Sequence, residues 1–119
     1  MGLFRRNKNI KKPVIRQIID LVPRWMIESC TKKHKSDKGC SRYKTYDQFV
    51  ALTYGQLNKC YTLNDISTGI GVSETFISDL GLNQSPARST MSDGNKKRDW
   101  KVFESLYYKV LSHYERVLK

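Results

Sequence analysis

Apolar residues recur at intervals of three and four along most of the chain, and this spacing predicts an all-α protein of about five helices. Pro13 suits the first position of a helix, and Pro23 ends that helix and starts the next. Thr45 and Gln48 form a capping box for a third helix, which we expect to lie at the centre of the core. A long amphipathic helix is predicted to run from Trp100 to the end of the chain.

The most informative stretch runs from Thr62 to Leu80, with the sequence TLNDISTGIGVSETFISDL. Thr62 can cap a first helix and Ser73 a second one, with Gly71 between them, where a positive φ is expected. Val72 is predicted to be buried in the turn. These intervals are typical of a DNA-binding helix-turn-helix at about residues 62–80, although a generic pair of helices can show the same features.

The second helix of this pair is predicted to expose polar side chains that would face base edges. It has no Lys or Arg, so any attraction to DNA phosphates must come from another part of the chain. The expected base-facing residues are Ser73, Glu74, Thr75 and Ser78.

Basic residues lie on both sides of a nearly neutral middle region. The chain carries 22 Lys and Arg against 11 Asp and Glu, a formal net charge of +11. Residues 1–44 have a net charge of +10, residues 45–85 of −3 and residues 86–119 of +4. Such an excess usually indicates an anionic partner, or serves solubility alone. We predict that residues 1–12 are a basic flexible arm and that residues 13–119 form one helical domain.

The polar stretch at residues 81–100 is predicted to be a connection, because it contains Pro86 and Gly94. Several cations would then lie at the start of the last helix, where they oppose its dipole. A bound phosphate would remove this conflict, because N–H groups and side-chain cations would converge on one anion. The alternative is a solvated run of charges. These cations are Lys96, Lys97, Arg98 and Lys101.

The cysteines and the hydropathy profile bear on other classes of function. Cys30, Cys40 and Cys60 are odd in number and irregularly spaced, which predicts free thiols. His34 does not complete a four-ligand zinc site with them, so we expect no metal and no cofactor. No apolar run approaches the about 20 residues that span a bilayer, and no signal peptide follows the N-terminal basic residues. We therefore expect a cytoplasmic protein without a membrane or small-molecule partner.

Several stretches resemble the N-terminal helical domain of transposases of the insertion sequence 4 family. They are KPVIRQIIDLVP, HKSDKG, YDQFVALTYGQL, TLNDISTGIG and RSTMSDGNKKRDWKVFESLYY. The run from Arg88 to Asp99 is the most specific of them, with Gly94 where we expect Ala in the family. The resemblance implies recognition of the terminal inverted repeats of a mobile element, with Arg88, Ser89 and Thr90 among the expected DNA contacts. Cations at residues 88–101 would neutralise phosphates on one flank, and the arm and the loop at residues 35–44 on the other.

By the same resemblance, family catalysis uses an Asp, Asp, Glu triad that holds two metal ions on an RNase H-like sheet. This chain ends where that catalytic domain would begin. We therefore expect it to bind double-stranded DNA without being an enzyme by itself, and to associate with another copy or with a transposase catalytic domain. One alternative is a truncated fragment that retains no activity. Another is a helical interaction module, whose anchors would be Trp100, Tyr107, Tyr108 and Tyr114.

Overall fold

A computed structural model describes residues 12–118, and this part of the chain contains seven helices. In chain order they are α1 (Val14–Ile19), α2 (Arg24–His34), α3 (Thr45–Leu57), α4 (Leu63–Ile70), α5 (Glu74–Asp79), α6 (Arg88–Lys97) and α7 (Lys101–Leu118). The all-α prediction is confirmed, with two helices more than the expected five. The predicted arm lies outside the described residues, except for Lys12. None of these helices combines the length and apolar composition needed to cross a membrane.

Prolines precede the first two helices. Pro13 and Pro23 occupy the N-cap positions of α1 and α2, one residue before the helical position predicted for Pro13. At the other end of α2, Lys35 takes a left-handed conformation with a φ of 52°. Gly39 has a φ of 78°, so the loop that follows α2 turns sharply twice.

The start of α3 differs from the predicted capping box. Thr45 is the first helical residue rather than the cap, and its backbone N–H and its hydroxyl both donate to Oδ1 of Asp37 at 2.7 Å. Oδ2 of Asp47 accepts the backbone N–H of Lys44, the N-cap residue, at 2.9 Å. The predicted partner Gln48 is buried and bonds to other residues. The predicted capping box is therefore wrong: carboxylates of Asp37 and Asp47 accept the N–H groups at the start of α3 instead.

Helices α3 and α4 approach each other closely at two glycines. A Cβ on Gly55 of α3 would lie 2.6 Å from Cδ1 of Ile66 on α4. A Cβ on Gly69 of α4 would overlap the ring and hydroxyl of Tyr54 on α3. Each helix therefore offers a glycine where the other presents a large side chain, and this close packing fixes how α4 crosses α3.

Helix α7 packs antiparallel to α2. His34, at the end of α2, shares a hydrogen bond of 2.7 Å with Ser105 in the second turn of α7. Trp25, at the start of α2, meets the ring of His113 edge-on, with ring centroids 6.3 Å apart. The predicted long C-terminal helix is present as α7, and its buried residues Val102 and Leu106 join Met26, Ile27 and Cys30 of α2 in the core.

Candidate functional site

Both caps predicted for the helix-turn-helix are present. Oγ1 of Thr62 accepts the backbone N–H of Asp65 at 3.0 Å, and Oγ of Ser73 accepts that of Phe76 at 3.0 Å. Leu80 is fully buried and Phe76 packs against the core, so the inward face predicted for this segment is confirmed. Hydroxyl caps of this kind satisfy N–H groups that the helix leaves unpaired, and they fix where α4 and α5 begin.

The turn between α4 and α5 differs from the prediction in two respects. Gly71 has a φ of −78°, so the expected positive φ is wrong. Glycine is favoured there for space instead, because a Cβ would lie 3.0 Å from the carbonyl oxygen of Ser67. Val72 is 74% exposed, so its predicted burial is also wrong. This segment is held in the core by Ile70 and Leu80, which are both fully buried, and not by Val72.

The residues predicted to face base edges are all exposed. Leu80 fixes the inner side of α5, so the outer side of this six-residue helix carries hydroxyl and carboxylate groups and no cation. We call this surface the α5 strip. It consists of Ser73, Glu74, Thr75 and Ser78.

Residues 88–97 form a helix, α6, where the sequence predicts a connection. Lys96 and Lys97 therefore lie in its last turn, where cations complement the helix dipole, and not at the start of the following helix. Gly94 does not interrupt the helix. It makes room for the ring of Tyr43, since an added Cβ would lie 2.6 Å from Cε2 of that ring.

Arg98 is buried, which corrects the prediction that it contacts phosphates. Its side chain is only 3% exposed. The guanidinium donates to Oε1 of Gln48 at 2.6 Å and to the backbone carbonyl oxygens of Tyr43 and Ser36 at 2.7 and 3.1 Å. The carboxylate of Asp37 lies 3.6 Å away and balances the charge. Arg98 therefore holds the loop after α2 against α3 and α6, because its donors are committed inside the protein.

The loop after α2 and helix α6 enclose a cleft of about 540 Å³, which we call the basic cleft. Thr90 lines it and is half-buried, and Asp93 and Asp99 are exposed at it. The cleft brings the loop and Lys97 together, although they were predicted to contact phosphates on opposite flanks. Its four exposed cations are Lys35, Lys38, Arg42 and Lys97.

The other predicted DNA contacts lie around α6 outside this cation cluster. Arg88 and Ser89 are exposed at the start of α6, Lys96 is exposed in its last turn, and Lys101 is exposed at the start of α7. These four side chains are accessible to a ligand, as the prediction requires.

Two titratable groups near the start of α3 have raised pKa values, Tyr43 at the basic cleft and Asp47 at a neighbouring groove. Burial raises the pKa of the Tyr43 phenol, and the neighbouring Arg98 opposes this only in part. Within residues 12–118 the hydroxyl of Tyr43 has no hydrogen-bond partner. Burial also raises the pKa of the Asp47 carboxyl, while the hydrogen bond from the N–H of Lys44 lowers it. Folding therefore makes both groups harder to ionise than they are in the unfolded chain.

Cysteine and histidine side chains are dispersed among the described residues. All three thiols are free, and burial raises the pKa of Cys30. Sγ of Cys40 accepts a hydrogen bond from Arg98 at 3.2 Å, and His34 is bonded to Ser105. In this part of the chain no three His, Cys, Asp or Glu side chains converge on one point.

Aromatic side chains are exposed on α7 and at the residue before it. Trp100, Tyr107 and Tyr108 are each at least 60% exposed, and the rings of the two tyrosines meet edge-on with centroids 5.1 Å apart. Tyr114 differs from them, because it is half-buried and its hydroxyl donates to the backbone carbonyl oxygen of Leu21. The predicted set of four anchors is therefore reduced to three accessible ones.

The family model described as domain of unknown function DUF4372 matches residues 10–83. The chain belongs to the DUF4372 family. No curated protein and no solved structure matches the chain. The matched DUF4372 segment contains the loop after α2 and the α5 strip, whereas α6 and α7 lie beyond it.

Proposed function

We propose that this chain binds double-stranded DNA, with α4, the turn and α5 acting as a helix-turn-helix. The α5 strip is the observation that carries the proposal. A buried Leu80 and a capped first turn hold α5 in place, while Glu74, Thr75 and Ser78 stay clear of the core. A glutamate can accept a hydrogen bond from the cytosine amino group, and serine or threonine can bond to several base edges.

Phosphate attraction would come from cations outside α5. Arg88, Lys96, Lys97 and Lys101 are exposed around α6, and further cations line the loop after α2. Arg98 is left out, because its guanidinium is buried. If roughly 6–10 phosphates are contacted, affinity should fall by about 10³–10⁵ between 50 and 200 mM salt.

The resemblance to insertion sequence 4 transposases supports the same function and suggests its biological setting. The chain would recognise the terminal inverted repeats of a mobile element as the N-terminal domain of a transposase. It would supply binding, and strand cleavage would belong to a separate catalytic domain that holds the metal ions.

Selection from a randomised duplex pool, followed by fluorescence anisotropy titration, tests the proposal. We expect enrichment of a defined site and a steep decrease in affinity with salt. Ser78→Ala should change the preference among enriched duplexes, whereas Ser112→Ala, the same change on the exposed side of α7, should not. Weak and equal binding to all duplexes would refute the proposed function.

A second candidate function is self-association through α7. The exposed Trp100, Tyr107 and Tyr108 favour it, because large aromatic side chains are typical interface anchors. Analytical ultracentrifugation tests it. We expect a concentration-dependent dimer that Tyr107→Ala together with Tyr108→Ala converts to monomer. A wild-type chain that stays monomeric at protein concentrations of about 100 micromolar would argue against this candidate.

A further inference from the structure

We propose that the basic cleft binds phosphate groups of the nucleic-acid backbone and is the main source of the attraction that α5 lacks. This inference rests on the proposed function and assigns its electrostatic part to one place in the fold. The ligand class is a phosphodiester chain, which the cleft would contact without regard to base sequence.

The charges at the cleft favour an anion. Among residues 12–118 none of its four exposed cations, Lys35, Lys38, Arg42 and Lys97, takes part in a salt bridge. Asp93 and Asp99 also line the cleft, and the carboxylate of Asp99 accepts the backbone N–H of Lys101 at 3.0 Å. Arg98 and Asp37 neutralise each other behind it. The exposed rim is left with an excess of positive charge.

The loop that carries three of these cations is held in a fixed shape. Arg98 bonds to the backbone carbonyl oxygens of Ser36 and Tyr43, near the two ends of the loop. Oγ of Ser36 is also hydrogen-bonded to Oγ1 of Thr45 at 2.6 Å, and Asp37 accepts two bonds from Thr45. A cation on a fixed backbone loses less entropy when it binds a phosphate than one on a mobile loop does.

A neighbouring groove provides a contrast. Its volume is about 1060 Å³ and it shares Arg42 with the basic cleft. Four cations line it, together with the carboxylates of Glu28 and Asp47, so its excess of positive charge is similar once the Asp37–Arg98 pair is set aside. The difference is in the backbone. Three cations of the basic cleft lie on one loop that Arg98 holds, whereas the cations of the groove are divided between α2 and residues 42–44. For this reason we assign the phosphate contacts to the smaller cleft. Its volume lies within the range of about 300–1,000 Å³ that is usual for ligand sites.

Two double variants with the same change in net charge test the inference. Lys38→Ala with Lys97→Ala removes two cations from the cleft, and Lys32→Ala with Lys33→Ala removes two exposed cations from α2. Each is titrated with a fluorescent duplex of arbitrary sequence between 50 and 200 mM salt. Circular dichroism melting checks that both variants are folded.

We expect the cleft variant to bind all duplexes about tenfold more weakly, and its plot of log affinity against log salt to be shallower by about 2. The α2 variant should stay within about threefold of wild type. Equal losses in the two variants would overturn the inference and leave the proposed function standing. A wild-type chain that binds no duplex at 50 mM salt would instead overturn the proposed function, and the inference with it.

Discussion

Nη1 of Arg98 donates to Oε1 of Gln48 at 2.6 Å and thereby joins the C-cap of α6 to the first turn of α3. The amide nitrogen of Gln48 donates in turn to Oδ1 of Asn95 at 2.8 Å. Both ends of this buried glutamine amide are therefore satisfied by residues about fifty positions away. The network connects α3, α6 and the loop after α2, and it sets the shape of the basic cleft.

Arg98→Lys should lower the free energy of unfolding by about 3 kcal/mol. A lysine ammonium cannot reach Gln48, Ser36 and Tyr43 together, so buried acceptors would lose their donors. Urea denaturation followed by circular dichroism measures the loss. Arg88→Lys, the same change at an exposed position, should stay within about 0.5 kcal/mol of wild type. If both variants unfold at the wild-type urea concentration, Arg98 does not hold the loop.

Gly94→Ala should destabilise the protein by about 1–3 kcal/mol, even though alanine favours helix by about 1 kcal/mol. The new Cβ would lie 2.6 Å from Cε2 of the buried Tyr43 ring, which would have to move. Thermal melting measures the difference. Asp93→Ala, at the neighbouring exposed position, is the control for helix propensity and should not destabilise. A Gly94→Ala variant that melts above wild type would show that the ring yields without cost.

Helices α4 and α5 could be predicted from the sequence because their signals are local. Thr62 and Ser73 each cap the N–H three residues later, and the apolar spacing that follows gives the buried face. Nothing comparable marks α6, whose sole buried residue is Met91. It is fixed by contacts of Gly94 with Tyr43 and of Asn95 with Gln48, which no local pattern contains.

The candidate site also has one part that could be predicted from the sequence and one part that could not. Exposure of Glu74 and Ser78 follows from helical periodicity, so the α5 strip could be predicted. The burial of Arg98 could not, because most of its partners are in another part of the chain, and two of them are backbone carbonyl oxygens. The predicted conflict between these lysines and a helix dipole does not arise, because α6 includes Lys96 and Lys97 in its last turn.

Stability should fall at alkaline pH because of Tyr43. Its pKa in the folded state is raised by burial above the unfolded value of about 10. The contribution of the neutral Tyr43 to the free energy of unfolding is therefore fully present below a pH of about 10. It is lost as the pH rises further, because the phenol then ionises in the unfolded state before it ionises in the folded state. Urea denaturation at several pH values should show this loss reduced in Tyr43→Phe.

The control is Tyr107→Phe, at an exposed tyrosine, which should keep the wild-type pH profile. Some alkaline loss should persist in Tyr43→Phe, because burial also raises the pKa of Tyr46. At neutral pH the Tyr43→Phe variant should be at least as stable as wild type, because the hydroxyl it removes has no partner within residues 12–118. Identical pH profiles for wild type and Tyr43→Phe would contradict this assignment.

Ser73→Ala should lower the free energy of unfolding by about 1 kcal/mol, because the N–H of Phe76 loses its acceptor. Ser73→Asp keeps an acceptor at the cap and should restore most of that loss in urea denaturation. Thr62→Ala should cost a similar amount through Asp65 at the start of α4, where no base contact is expected. The two alanine variants should therefore be alike in stability and differ in binding, since only Ser73 belongs to the α5 strip. If Ser73→Asp unfolds as readily as Ser73→Ala, the hydroxyl cap does not explain where α5 begins.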